Sequence, residues 1–515
     1  MGSWHAHCLR STSSADVMNR RLVRNIAATF AVQVAVMVGT FAVYGLIARI
    51  FGPVAVGEYT IIRRALFLLQ PFILAGLTVA VPRYLAMTAD ASQRGQIALV
   101  GVSAVLGCSC MTALLVVGSV DSLAEAMFGR ADARELVYGF AVLTIAFGLH
   151  SVAYSYYRGI QEMRSANLLD LLNLGAVPLL AVALSLRSGI AEMIALTALS
   201  MIVVTVILAY GLWRAVWSSV RDGGPTASAA LKLLAYGLPR IPGDLALAGL
   251  LFGGAYIVAR EDGMEAAGHL GIAQTLLMLP GTALAALAVL LLPYVSERLA
   301  SGDLAAVRHG STFLFNALVD VTVYFALHVA VFSKPILALW LGSEMQGAAP
   351  LVSILALATP FYALYFVFRS VLDAATHRPI TAMNLVLAFV SFVALYEVLA
   401  FAGINGTFAA AWALGGSFVV LGSLTMFWVA ILVGLSGPVV RGVAPAFVAN
   451  VLIAGLAYGA LQWQDGGGTG NWLATELLCV SAFVAILRLS GRDWVITLRT
   501  RVTEVLRQSD PRAAR

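Results

Sequence analysis

The sequence predicts an all-α polytopic membrane protein of about fourteen transmembrane helices, arranged as two six-helix pseudo-symmetric lobes plus two extra helices. Three observations carry this: the composition, the length of the apolar runs, and an internal repeat. Of 515 residues, 60% are hydrophobic and 11% are charged, whereas soluble chains are about 25% charged. In lipid every backbone polar group must be paired internally, which leaves helices or closed barrels. The apolar runs are continuous rather than alternating, and a spanning helix needs about 20 such residues. Helices are therefore expected.

Spans are expected at 25–48, 58–82, 96–119, 136–157, 167–186, 192–213, 236–258, 270–292, 310–332, 350–372, 380–402, 406–430, 442–463 and 472–489. Ahead of them, Met1 to Arg24 is polar and carries Arg10, Arg20, Arg21 and Arg24. A secretory signal would instead show about 7–15 apolar residues and a small-residue cleavage site. The stretch 1–24 is read as a cytoplasmic tail, with Met1 to Asp16 disordered. Cys108 and Cys110 sit inside an apolar span at a spacing with no metal-site precedent, and read as packing residues. No metal or cofactor is expected.

Orientation follows from Lys and Arg, which are retained on the cytoplasmic side. With the N-terminus inside, 23 of the 32 fall in inner segments and six in outer ones. Both termini are therefore expected in the cytoplasm. The net charge of +6 reads as a surface facing anionic lipid and gives no argument for nucleic acid.

The chain repeats at an offset of 211 residues. Ile47-Ala48-Arg49 matches Val258-Ala259-Arg260, Gly57 matches Gly268, and Pro82 matches Pro293. The offset covers six spans, an even number, so both units share one orientation and a pseudo-two-fold axis along the membrane normal is expected. The domains read as an N-lobe at 25–213, an inter-lobe linker at 214–235 and a C-lobe at 236–430. The two extra spans occupy 431–489, before a basic cytoplasmic tail at 490–515. Within that tail, Asp493 to Gln508 is expected to lie as a helix on the inner leaflet. Two lobes around a midplane site suit alternating-access transport.

Several stretches together resemble one family. They are Leu46-Ile47-Ala48-Arg49-Ile50-Phe51-Gly52-Pro53 with Gly57-Glu58-Tyr59, Gly76-Leu77 through Pro82-Arg83-Tyr84-Leu85-Ala86, Tyr157-Arg158-Gly159, and Pro293-Tyr294-Val295-Ser296 with Gly302-Asp303. The pattern resembles the polysaccharide-repeat and O-antigen flippases of the multidrug/oligosaccharidyl-lipid/polysaccharide exporter superfamily, over roughly residues 20–435. Phe51 stands where Leu is commoner. The resemblance implies two six-helix lobes around a central cavity lined by spans 1, 2, 7 and 8. It implies a lipid-linked oligosaccharide, carried on undecaprenyl diphosphate, as the moved substrate, in the bacterial inner membrane. Membrane lipids, a glycan polymerase and assembly proteins are the partners it suggests.

Such a substrate sets one physical problem, because bare charge in hydrocarbon is costly. A cationic, water-filled cavity lowers that cost, and the planar fork of Arg suits phosphate. Arg63 and Arg64 in span 2 are the first candidates. Adjacent helical residues point about 100° apart, so both cannot snorkel along one lipid-facing stripe. The repeat places Gln274 and Thr275 opposite them, which concentrates positive charge in the first lobe. The plainer alternative is a local ion pair with Glu58 and snorkelling. Arg240 and Asp244 flank Pro239, Pro242 and Gly243, a sign of a broken first turn, or else form a self-neutralising i,i+4 pair. Arg49 and Arg260 end spans 1 and 7, to meet a diphosphate or to anchor helix ends. His150, Asp320, His328 and Glu397 are further intramembrane ionisable groups. His150, Asp320 and Asp244 are candidates for a coupling-ion or proton site, against structural hydrogen bonds.

No enzyme signature is found: there is no Gly-rich nucleotide loop with Lys and no long outer segment for a catalytic domain. A peptidoglycan-precursor flippase, whose ligand also bears a diphosphate, stays open. A cation-coupled drug exporter is opposed by the basic charge. A membrane-embedded polymerase or glycosyltransferase, or a non-transporting scaffold, stays as a reading of another class.

Overall fold

A computed structural model describes residues 3–88, 90–222, 224, 227–238, 241–376, 378–435, 438–463 and 469–489. It is helical, with no strand among the described residues. The helices are α1 (Ser3–Leu74), α2 (Leu77–Met87), α3 (Ala91–Gly118), α4 (Val120–Phe128), α5 (Arg134–Gly159), α6 (Met163–Asp170), α7 (Val177–Leu184), α8 (Ile190–Leu208), α9 (Tyr210–Arg221), α10 (Ala227–Gly237), α11 (Ile241–Glu261), α12 (Gly263–Ala300), α13 (Leu304–Val331), α14 (Ser333–Trp340), α15 (Ala349–Ala356), α16 (Thr359–Ala375), α17 (Ile380–Phe401), α18 (Gly406–Val429), α19 (Pro438–Trp463) and α20 (Thr469–Leu489). The chain is a polytopic membrane protein. Among the described residues nine helices are long and apolar enough to cross a bilayer, or ten if the bent pair Ser343–Ala356 and Thr359–Ala375 counts as one span. Among the described residues the fourteen apolar segments read from the sequence fall largely on helix, with breaks at 75–76 and 357–358.

Two compact units divide the chain, Met1–Ala248 and Gly249–Arg515. The stretch read as a disordered start is helical from Ser3 onward; polarity there marked it as outside the core, which does not prevent helix formation. Spans 1 and 2 are not separated by a loop either. They run on as one helix through a kink at Gly52, whose φ of 83° and ψ of 178° suit a residue without a Cβ. Pro53 follows, with no N–H to lose. At the repeat offset stands Gly263, also at positive φ (91°), between α11 and α12. Gly52 and Gly263 therefore make the same break in each unit.

The second half of the repeat pair differs. In the first unit the helix stops at Leu74, passes through Ala75 (φ 46°) and Gly76 (φ 68°), and resumes as α2. In the second unit α12 runs unbroken from Gly263 to Ala300. A Cβ placed on Gly76 would collide with the backbone of Gly237, at the end of α10. The 214–235 segment, expected to be a linker, is therefore largely helical as α9 and α10, and α10 is docked on the break. Arg83 fixes the same corner, with Nη1 donating to Tyr236 Oη at 2.6 Å. The tail at 490–515, including Asp493 to Gln508, lies outside the described residues.

Candidate functional site

The Gly52 kink folds Tyr44, on the first segment of α1, against Tyr59 on the second. Their rings meet edge to face with centroids 5.2 Å apart. Arg63, one turn beyond Tyr59, lies over both rings at 5.7 and 5.6 Å, a cation–π arrangement that steadies the guanidinium without neutralising it. Arg63 and Arg64 both line a cavity of about 260 Å³ inside the first unit. Its far walls are Leu143 and Phe147 of α5, Asn173 and Pro178 around the start of α7, and Thr197 of α8. Glu58, the residue that spacing offered as their partner, is buried and pairs with Arg130 from the link after α4. Its charge is matched across 72 residues and not simply along its own helix.

A second cavity of about 120 Å³ adjoins the first, sharing Phe67 and Gln70. It opens at the helix break, between Pro71, Gly76 and Thr78, and Asp244 lines its other side. Gln70 and Thr78 are the polar side chains in the lining between the arginines and Asp244. Arg240 lies outside the described residues.

His150 is buried on α5 within a network that the sequence reading saw only in part. Asn173 Nδ2 donates to Thr205 Oγ1 at 2.8 Å and lies 3.0 Å from His150 Nδ1. His150 Nε2 faces Asp170 Oδ1 at 3.4 Å. Gln33 Nε2 donates to Asp170 Oδ2 at 2.9 Å. His150 thus stands between the Asn173 amide on its Nδ1 side and the Asp170 carboxylate on its Nε2 side. Asn173 belongs to a π-helical turn, Leu171–Ala176, that joins α6 to α7. Such turns widen the helix and re-aim side chains, often at functional sites. Asp170, Asn173 and Gln33 were not singled out from sequence. Asp170 inside the fifth predicted span was the available signal, since an intramembrane carboxylate is expensive.

The remaining candidates lie apart from this cavity in the chain. Arg49 is exposed three residues before the Gly52 kink. Arg260 is exposed in the last turn of α11 in the second unit, where a cation also suits the helix dipole. Asp320 is 1% exposed on α13 of the second unit. No group of three His, Cys, Asp or Glu able to hold a metal occurs among the described residues.

Fold and site together define a multi-pass membrane protein with a cationic cavity inside its first helical unit. Comparison with known proteins carries this further. The chain belongs to the polysaccharide biosynthesis protein family, which it matches over residues 22–298. No curated protein matched the sequence. Among solved structures, the lipid II flippase MurJ in an inward closed conformation is similar over 92% of this chain and 100% of its own, at 14% identity and a TM-score of 0.69. A multidrug resistance MATE transporter of the MOP superfamily, inward-facing, covers 79% of this chain and 98% of its own, at 17% identity and a TM-score of 0.62. A MOP-superfamily transporter from Pyrococcus furiosus, described as having a binding pocket of reversed polarity, covers 80% and 96%, at 15% identity and a TM-score of 0.55. At these identities the likeness shows the shared fold.

Proposed function

We propose that this protein is a flippase that moves undecaprenyl-diphosphate-linked oligosaccharide repeat units from the cytoplasmic to the periplasmic leaflet, for surface polysaccharide assembly. The observation that carries the reading is the pair Arg63 and Arg64 lining one cavity of the first unit, in a chain of the polysaccharide biosynthesis family. Two guanidinium groups offer a diphosphate paired, charge-assisted hydrogen bonds. Arg49, Arg240 and Arg260 are proposed as further cations on the route. The lobes 25–213 and 236–430 are the moving parts in an alternating-access cycle. His150 with Asp170, together with Asp244, is proposed to couple that cycle to a proton or cation: His150 reaches the arginine cavity through Asn173, which lines it, and Asp244 lines the adjoining cavity. The Lys and Arg distribution supports an inner-membrane protein with both termini cytoplasmic.

One second reading has its own support. The likeness to the lipid II flippase spans nearly the whole chain, and that ligand class also bears a diphosphate. A drug exporter for cations is disfavoured, because two arginines would repel its cargo. A glycan polymerase or glycosyltransferase is disfavoured by the lack of a long outer segment in the sequence. The readings separate in proteoliposomes of the full chain loaded with fluorescent lipid-diphosphate oligosaccharide or with lipid-linked muropeptide. Transfer of the first and not the second to the outer leaflet supports the proposal. The reverse selects the peptidoglycan-precursor reading, and transfer of neither contradicts both.

A further inference from the structure

A stripe of ionisable side chains runs along α13 in the second unit, remote in sequence from the arginine cavity. Asp320, Tyr324 and His328 recur every four residues. Four residues turn a helix by about 400°, so each step stays on a neighbouring face while drifting by about 40°. The partners change with the drift. Asp320 meets α19, where Asn450 Nδ2 donates to the Asp320 carbonyl oxygen at 3.4 Å. Tyr324 and His328 meet α20. The Tyr324 ring stacks on Phe483 with centroids 4.0 Å apart, and also on His328 at 5.2 Å. His328 Nε2 lies 2.5 Å from Glu476 Oε1. The helices that complete this cluster are the two outside the six-plus-six repeat.

Packing alone does not call for such a cluster. Next to it, Phe332, Ala457 and Cys479 form an apolar contact between the same helices, which would suffice to dock them. Asn450 is 2% exposed, and its Oδ1 has no hydrogen-bond partner among the described residues. The same holds for Tyr324 Oη and Glu476 Oε2. A buried polar atom left without a hydrogen-bond partner keeps its desolvation penalty uncompensated. A cluster that carries this cost in an apolar setting is characteristic of a site.

We infer that α13, α19 and α20 form a proton-binding site with two stations. The outer station is His328 with Glu476, whose side chains are 13% and 28% exposed. The inner station is Asp320, about 12 Å further along the helix. The groups facing the outer station are Glu476 and Cys479 from α20 and Tyr324 from α13 itself. Asn450 adds an amide from α19. Ser333 and Ser353, from α14 and α15, add hydroxyls near Ala330. One proton leaves bulk water and is shared by Glu476 Oε1 and His328 Nε2; a second neutralises Asp320. Both return to water on release, so no co-reactant is needed. The existence of this site is independent of the flippase reading; only its use as an energy input rests on it.

The test is infrared difference spectroscopy on the full chain in phosphatidylethanolamine/phosphatidylglycerol vesicles, stepped between acid and neutral pH. The wild-type difference spectrum should contain protonated-carboxyl intensity from the chain's 26 Asp and Glu residues, of which the two stations contribute separable parts. Glu476→Gln and Asp320→Asn should each remove a distinct component of that intensity, and His328→Gln should alter the component that Glu476→Gln removes. Size-exclusion profiles check that each variant is folded, and should Glu476→Gln fail, Asp320→Asn still reports the inner station. Wild type without pH-responsive carboxyl bands, or bands unchanged in both carboxyl variants, would overturn the inference. Titrating bands in a protein that moves no lipid-linked sugar would uphold the site and reject the flippase reading alone.

Discussion

Asn173 connects His150 to the wall of the arginine cavity: its amide lies 3.0 Å from the imidazole Nδ1, and the residue itself lines the space that holds Arg63 and Arg64. A change of protonation or hydrogen bonding at His150 therefore reaches the cavity through one side chain. Removing that link should uncouple the two. Asn173→Leu keeps the volume but leaves Thr205 and His150 without their donor, and should lower stability by about 1–3 kcal/mol. Asn173→Asp, which buries an acceptor-only carboxylate at the same place, should lower it at least as much. Thermal unfolding of the purified protein with a thiol-reactive or intrinsic-fluorescence readout checks both.

The proposed coupling role of His150 and Asp170 predicts a change in pH response rather than a simple loss. Asp170→Asn removes the charge facing His150 Nε2 while leaving an acceptor for Gln33. The pH profile of leaflet transfer should flatten in Asp170→Asn and in His150→Gln. A profile that keeps its wild-type shape at reduced height would assign the pair a structural role.

The helix break gives a steric prediction. Gly76 has φ 68° and faces Gly237 at backbone contact. Gly76→Val and Gly237→Val should each destabilise the protein by about 1–3 kcal/mol through strain and displacement of α10. Ala75→Gly, at φ 46°, should be neutral or slightly stabilising, because glycine carries no Cβ penalty there. Comparative melting of the three variants separates these outcomes.

Glu58 is 3% exposed and depends on Arg130 for its counter-charge. Arg130→Ala should strand that carboxylate and cost about 1–3 kcal/mol, the lower part of the range for buried charge because the arginine itself is half exposed. Adding Glu58→Gln should recover part of the loss. A double-mutant cycle on melting free energies measures it, and additivity would show that the pair contributes nothing.

Much of this architecture was legible in the sequence, for a physical reason. Hydrocarbon demands long apolar helices, so the all-helical membrane fold stands out by composition alone. The pair Gly52 and Gly263 shows the limit. Both glycines sit where a loop would ordinarily be read, yet both are kinks between helical segments, because nothing in composition distinguishes a turn from a bent helix. Arg63 and Arg64 were found because charge inside a span is costly and therefore visible. The pairing of Glu58 with Arg130 was not, since it joins residues 72 apart. The role of Asn173 was equally hidden, because it depends on a π-helical turn that leaves no mark in hydropathy.

The central claim, that Arg63 and Arg64 stand in the path of a lipid-linked glycan, is tested most directly in cells. Strains lacking the protein, or carrying wild type or Arg63→Ala/Arg64→Ala, are labelled with a membrane-impermeant reagent, and their undecaprenyl-linked sugars are extracted and assigned to a leaflet. Charge-assisted contacts to the diphosphate contribute about 1.5–3 kcal/mol each, so the double variant should reduce outer-leaflet repeat units at least about tenfold, toward the deletion strain. Repeat units that reach the outer leaflet at wild-type levels in the double variant would contradict the role of the arginines. If they do so in the deletion strain too, the flippase reading itself fails.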